Sequence, residues 1–454
     1  MKISYCFLCE LFPIALFFSP SYYKISKYLL SDTYFDICNK KTKEIQGLLL
    51  SATLKNALIN VPFYKKNVKI NPKSIDSDTA YSFLLEFPFI SKETVMENVN
   101  KFISTKADKR FLFYLTSGGS TGTGIGLWRN YDEVLANYAF IDHMWGKYGY
   151  NRRYKTLRIG ADSVAPLNKT PYKRIGKRLL VSPHHLSERL LPDIASAIQN
   201  FKPDYVHAYP SCLELLAGFL KLNDIQIRTK GVFLASEEIY PGQIDLFSEV
   251  FKSPVFFHYG AVEQVLLGYG CYNKGHINYH FHPFYGLAEN FKDENGNFEL
   301  VGTGFWNNTM PLIRYRTQDY GKISDEISKC DNCGLSWPTL DKLDGRLQDY
   351  LITKYGSYYP ATSVSIDKFI WNYVETFQFV QNTPGEVELH IIPRPSYDDE
   401  IEKNIFEAQR TKLSCWFDSI KIVKVNEITR TCAGKRRLVV TSNEIHKKYG
   451  GRNK

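Results

Sequence analysis

The segment YLTSGGSTGTGIGLW, Tyr114 to Trp128, sets five glycines among serine and threonine hydroxyls, directly after an apolar run. Glycine lets the backbone curl close to a phosphate, successive N–H groups form an anion nest, and hydroxyls donate to phosphate oxygens. The segment is a phosphate-cradle candidate. It is not G-x-x-x-x-G-K-[ST], because Lys is absent, nor a dinucleotide fingerprint, because the spacing differs. Alone, a Gly/Ser/Thr run is equally a surface loop. A second group has metal-ligand chemistry: Cys330-x2-Cys333 in KCDNCG is half a zinc knuckle, and Cys271 with His276, His280 or His282 in GCYNKGHINYHFH completes four ligands. The first candidate set for a structural zinc is Cys271, His276, Cys330 and Cys333. A closed set of this kind braces its surroundings rather than performing chemistry.

These groups need a scaffold, and the apolar pattern names it. LPDIASAIQNF has a period near 3.6 and predicts a helix; YVHAY, closed by Pro210 and Ser211, predicts a short strand. CLELLAGFLKLNDI reads as another amphipathic helix, GVFLAS and PVFFHYG as buried strands, and DENGN as a turn between strand-like runs. The alternation predicts an α/β fold. A boundary falls in LDGRLQDYL, residues 343 to 351. Beyond it, VELHIIP, a polar helix from Asp398 to Phe417, IKIVKV and the basic loop TCAGKRRL read as a small α+β domain. The expected division is 1–345 and 346–454, with a hinge that lets the smaller part move as a unit.

Composition narrows the class. The chain has 454 residues, 44% hydrophobic and 23% charged, which fits a folded globular protein and excludes disordered and collagen-like chains. Nine scattered cysteines, an odd number, argue against a disulfide framework and for a reducing, cytoplasmic setting. The N-terminal stretch imitates a signal peptide, but Glu10 and Pro13 interrupt it, so a packing helix is expected. No membrane span is expected. The net charge of +10 is spread rather than striped, so nucleic acid is not an expected partner.

The glycine-rich segment is followed in order by HAYPSCLELLAG, ASEEIYPGQ, HYGAVEQ, PLIRYRTQDYG, DGRLQD and TCAGKRR. In this order the chain resembles the adenylate-forming superfamily of acyl-CoA ligases, luciferases and peptide-synthetase adenylation domains. Within it, the chain looks most like the phenylacetate-CoA ligase and CapK branch. The resemblance implies a large multi-layer N-terminal domain with a small mobile C-terminal domain. It also implies ATP and Mg2+ as reaction components, a small-molecule carboxylate as substrate, and CoA or a sugar or amine as acceptor. CapK-type members are associated with capsular polysaccharide genes, which implies a role in surface-polysaccharide synthesis. Transfer of AMP to a hydroxyl, and a nucleotide-binding scaffold with little turnover, are the alternatives. Oligomeric state is not legible.

The resemblance assigns roles residue by residue. Thr116, Ser117, Gly118, Gly119, Ser120, Thr121 and Gly122 match the phosphate loop, although Thr123 and Gly124 depart from the Pro and Lys that commonly follow. Tyr259 and Gly260 match Tyr-Gly-x-Thr-Glu, which implies that Tyr259 stacks on adenine and Glu263 holds magnesium; Val262 replaces the usual Thr. Asp319 falls on the ribose clamp, with Arg316 toward the phosphates, and Arg346 on a second nucleotide contact. Gln348 and Asp349 fall on the hinge, and Lys435 on the lysine that bridges carboxylate and ATP. His184, His185, Tyr209 and Pro210 fall on the acyl-pocket wall.

Overall fold

The computed structural model describes residues 16–445 apart from 17–18, 30–39, 117–124, 161–169, 187–188, 240, 274, 295, 342, 344, 347–349, 357, 361–372, 415, 431–435 and 443. The described chain divides into two units. The first takes in the residues before 117, with 125–154 and 256–343; the second takes in 155–255 and the residues after 344.

In the first unit, helix α1 (Lys40–Asn60) buries Leu50, Leu54 and Ala57 along one side. Strands β1 (Leu112–Thr116) and β2 (Gly126–Asn130) pair antiparallel, with Thr116 opposite Gly126, so the glycine-rich segment connects the two strands. Asn130 then starts helix α2 (Tyr131–Gly146) through a capping box: its side chain accepts from the Glu133 N–H and Glu133 accepts from the Asn130 N–H. Two orphan donors of the first turn are thereby satisfied. Glu133 also accepts from the Thr309 N–H at 2.7 Å, which ties the helix start to a distant loop.

The second unit begins with a mostly parallel sheet. Strands β3 (Thr156–Ile159), β4 (Tyr172–Ile175), β5 (Arg178–Val181), β6 (Tyr205–Ala208) and β7 (Gly231–Ala235) lie in the order β7-β6-β3-β5-β4. All neighbours are parallel except β4 with β5. Helices α3 (Leu191–Phe201), α4 (Pro210–Leu222) and α5 (Pro241–Phe251) connect the strands. Every residue of β7 is buried, as expected of a strand covered on both faces.

The first unit resumes with strands β8 (Val255–Gly260), β9 (Leu267–Asn273) and β10 (His276–Phe281). A second sheet follows, β11 (Gly286–Lys292), β12 (Phe298–Gly304) and β13 (Tyr315–Tyr320), antiparallel throughout. The predicted DENGN turn joins β11 to β12, with Gly296 at φ +82. Strand β14 (Thr339–Leu340) then pairs with β10, giving the antiparallel order β8-β9-β10-β14.

After the short strands β15 (Gly345–Arg346), β16 (Tyr350–Ile352) and β17 (Tyr358–Pro360), the C-terminal sheet is built from β18 (Val374–Gln381) and β19 (Glu386–Pro393). Helix α6 (Asp399–Leu413), strand β20 (Ser419–Lys424) and strand β21 (Val439–Thr441) complete it in the order β20-β19-β18-β21. Asp398 caps α6 by accepting from the Ile401 N–H at 2.8 Å. The helix carries the crossover between the parallel strands β19 and β20, and Ile405 and Leu413 bury against Phe379, Leu389 and Ile391. The expected α/β class, with a larger N-terminal and a smaller C-terminal domain, is the observed one. Among the described residues, no helix is long and apolar enough to cross a membrane.

Candidate active site

Tyr259 lies near the end of β8, opposite Gly268 of β9. A Cβ on Gly268 would stand 3.1 Å from that of Tyr259 and 3.3 Å from that of Tyr279, so glycine makes room for the ring between its neighbours. Phe281 and Tyr279 pack against the ring edge-on, with centroids at 5.7 and 6.2 Å. The Tyr259 hydroxyl donates to Asp319 Oδ2 at 2.6 Å, although the two residues are 60 positions apart. Asp319 is buried on β13, where its N–H donates to Thr317 Oγ1. The candidate adenine platform and the candidate ribose carboxylate are therefore one buried, hydrogen-bonded unit. An acceptor held by a phenol is fixed in direction before any sugar arrives.

Glu263 follows in the turn between β8 and β9, which the Gln264 N–H closes on the Ala261 carbonyl at 3.0 Å. The side chain is half-buried, whereas Val262 beside it is 36% exposed. Gln264 holds φ +55 and Gln318, directly before Asp319, holds φ +63. Left-handed backbone on a side-chain-bearing residue costs on the order of 1–2 kcal/mol and persists only where its surroundings enforce it. Both instances flank candidate site residues.

The enforcing partner of Gln318 is Glu299 on β12, whose Oε1 accepts the Gln318 N–H at 2.9 Å. Its Oε2 accepts from Arg316 at 2.6 and 2.8 Å, and the guanidinium lies over the Phe291 ring at 4.2 Å. Arg316, expected toward the phosphates, thus gives its Nε and Nη2 to Glu299. Burial pushes the Glu299 carboxyl above its ordinary range, and Arg316 opposes that push. Arg129 on β2 is the other residue that motif reading missed. It is fully buried and donates to the Glu263 carbonyl at 2.9 Å and to Gln264 Oε1 at 3.3 Å.

The metal-ligand group assembles with one exchange of residue. Ligand atoms of Cys271, His280, Cys330 and Cys333 all lie within 4.8 Å of one another. His276, at the far end of β10 opposite Asn273, is exposed and not in the cluster. The reason is topological: the knuckle runs into β14, and β14 pairs with β10 at Tyr279 and His280. His280 Nδ1 pairs with Thr339 Oγ1 at 2.8 Å, while its Nε2 is buried without a hydrogen-bond partner. Neighbours in the cluster, Cys333 foremost, hold the Cys271 thiol well below its ordinary range, toward the thiolate. Three sulfurs, one orphaned imidazole nitrogen and a partner fixing the other nitrogen fit a tetrahedral Zn2+ site. His282, packed between Phe140 and Trp337, is held far below its ordinary range by burial and stays neutral outside this set.

In the second unit, Tyr209 and Pro210 are buried at the start of α4. Glu237, in the ASEE motif, accepts from the Ser211 N–H at 2.9 Å and its hydroxyl at 3.1 Å, closing the helix N-terminus. His184 is exposed and His185 half-buried. For Thr116 and Arg346 only the backbone is described, at the ends of β1 and β15. Ser117, Gly118, Gly119, Ser120, Thr121, Gly122, Gln348, Asp349 and Lys435 lie outside the described residues.

Known proteins agree with this architecture. Residues 351–442 match the family described as the CapK C-terminal domain. Protein CapK of Staphylococcus aureus is 23% identical over 434 residues, which is 93% of this chain and 92% of that protein. A 2-hydroxyisobutyryl-CoA ligase in the postadenylation state, solved with 2-HIB-AMP, superimposes with a TM-score of 0.66 at 16% identity, covering 89% of this chain and 90% of that one. The same ligase in the thioesterification state, with 2-HIB-AMP and CoA, superimposes with a TM-score of 0.52. The resemblance read from the motifs therefore stands: the chain has the fold of the adenylate-forming CoA ligases, is similar to protein CapK along nearly its whole length, and matches the CapK C-terminal domain family at 351–442.

Proposed function

We propose that the chain activates a carboxylic acid with ATP, releasing pyrophosphate and forming an acyl-adenylate, and then passes the acyl group to an acceptor. The observation that carries this reading is the buried Tyr259–Asp319 unit, with Glu263 in the turn that follows Tyr259. A nucleoside clamp and a phosphate-side carboxylate on adjoining segments suit in-line attack of a carboxylate on the α-phosphate. Asp319 holds the ribose hydroxyls, Tyr259 the adenine side and the 116–122 loop the phosphates, with Arg346 as a further nucleotide contact. Lys435 steadies charge on the reacting groups. Magnesium, when bound, neutralises the triphosphate and the departing pyrophosphate, and Glu263 is the residue that would hold it. Residues 346–454 would turn about Gln348 and Asp349 between the two half-reactions. The 2-HIB-AMP and CoA complexes of the similar ligase support an acyl-adenylate route with CoA as acceptor. A sugar or amine acceptor in surface-polysaccharide synthesis, within the cytoplasm, is the other acceptor proposed.

ATP–pyrophosphate exchange over a panel of carboxylic acids tests the reading directly. Exchange above background with at least one acid is expected. None with any acid, alongside intact ATP binding, would favour the second reading, a nucleotide-binding chain with little turnover. That reading rests on Val262, which lacks the hydroxyl of the usual Thr.

Zn2+ at Cys271, His280, Cys330 and Cys333 is part of the proposal as a brace, since Cys271 sits on β9, the strand paired with β8, and His280 on β10, one strand further on. Thr339→Val removes the hydroxyl that fixes His280 Nδ1. Loss of such a supporting hydrogen bond costs about 10–100-fold in metal affinity. Competition with a chromogenic chelator should show that loss, from a starting stoichiometry of one zinc per chain; an unchanged affinity would remove Thr339 from the site.

A further inference from the structure

We propose that Arg129 is a positioning residue that aims the Glu263 carboxylate at the metal-bound triphosphate by locking the Glu263–Gln264 backbone. The inference rests on the assignment of Glu263 to magnesium proposed above. Arg129 is fully buried on β2, the strand that receives the chain from the glycine-rich segment. Its Nη2 donates to the Glu263 carbonyl at 2.9 Å, its Nε to Gln264 Oε1 at 3.3 Å and its Nη1 to the Trp128 carbonyl at 3.1 Å. One planar fork thus grips both residues of a single peptide unit. That geometry is specific to a guanidinium, since a lysine ammonium cannot offer two donors in one plane.

The gripped peptide is under constraint from the other side as well. Gln264 stands at φ +55, and β11 and β12 press against it through glycines. A Cβ on Gly304 would lie 2.5 Å from the Gln264 carbonyl oxygen, and one on Gly286 would lie 2.0 Å from that of Val265. Two glycines and one arginine therefore hold a turn that the Gln264 side chain by itself disfavours.

A buried guanidinium is a costly way to hold a turn. Burial lowers the Arg129 pKa, opposed by the charges of Glu133, Tyr285 and Glu263. The donors named above go to two carbonyls and one amide oxygen rather than to a carboxylate. A local rule broken in this way, beside a site residue, marks a constraint imposed by function. Arg129 does not stand in for the lysine missing from the phosphate loop, because it is wholly covered and its donors are engaged on the 263–264 segment. It acts through Glu263.

Isothermal titration of the purified chain with ATP, with and without Mg2+, tests this without knowledge of the acid. The wild-type chain is expected to bind ATP more tightly with Mg2+. Arg129→Met should reduce that magnesium-dependent gain by about tenfold, the loss typical of removing a residue that orients a metal ligand, while metal-free ATP affinity stays unchanged. Gln264→Gly, whose backbone accepts a positive φ, should keep most of the gain; Gln264→Val, whose backbone does not, should lose it. A full gain in Arg129→Met, or an equal loss of metal-free affinity, overturns the inference. Should Arg129→Met fail to fold, the Gln264 pair decides, and equal gains in Gly and Val overturn it. A wild-type chain without the gain, or Glu263→Gln with it intact, overturns the metal assignment of Glu263 and the inference with it. An unaffected Arg129→Met beside a Glu263→Gln that has lost the gain overturns the Arg129 inference alone.

Discussion

Replacing Glu299 by Ala is expected to destabilise the chain by about 3–5 kcal/mol and to weaken ATP binding in the fraction that stays folded. Glu299 is 1% exposed and the Arg316 side chain is largely buried, so removing the carboxylate takes the counter-charge from a cation held mostly out of water. Breaking one side of a buried pair costs more than the pair contributes, because the survivor stays desolvated without its counter-charge. The second effect comes from the other oxygen. Oε1 holds the Gln318 N–H and so keeps φ +63 in the residue before Asp319. Once released, Gln318 can relax toward ordinary extended backbone, and the Asp319 carboxylate swings away from the Tyr259 hydroxyl. Urea denaturation reads the first effect and ATP titration the second. A variant that loses stability yet binds ATP as before would show that Glu299 supports the sheet and not the clamp. Glu299→Gln separates the two further: it keeps an acceptor for the Gln318 N–H while losing charge toward Arg316, so ATP binding should suffer less than stability.

The elements were legible wherever burial follows a simple period. LPDIASAIQNF is helix α3 without a change of boundary, and GVFLAS and PVFFHYG are β7 and β8 to within a residue. The polar helix expected over Asp398 to Phe417 ends earlier, at Leu413. What the pattern left open depends on contacts between strands far apart in sequence. His276 and His280 have the same alternation on β10 and both lie two positions from Asn278, which faces Cys271. Only the pairing of Thr339 with His280 picks one of them. Arg316 and Asp319 sit three residues apart and look like one charged cluster, yet Asp319 bonds to Tyr259 and Arg316 turns to Glu299. Arg129 carried no motif signal, since a lone arginine after a glycine-rich run reads as surface charge until its burial is known. The supporting residues around a site are chosen by packing, and packing is not written in local spacing.

Lys435→Ala should lower ATP–pyrophosphate exchange by about 10²–10³-fold while leaving ATP affinity nearly unchanged. Charge that builds on the α-phosphate and the incoming carboxylate in the transition state calls for a cation that touches both, and little of that interaction exists in the ground state. An interaction of this kind shows in the rate rather than in binding. The next residue in the chain carries a second positive charge. Arg436, the next residue, is nearly covered; it donates to Thr376 Oγ1 at 3.1 Å and pairs with the buried Glu214 at 3.3 Å, with its guanidinium 5.1 Å over the Phe377 ring. The residue that follows Lys435 is therefore held in place, and a lysine on its flexible stem suits a contact made only as charge develops. Glu214→Ala would remove the carboxylate paired with Arg436, and should lower exchange as well, though less than loss of the ammonium itself. Exchange that survives in Lys435→Ala but collapses in Glu214→Ala would invert this order and assign the essential positive charge to Arg436.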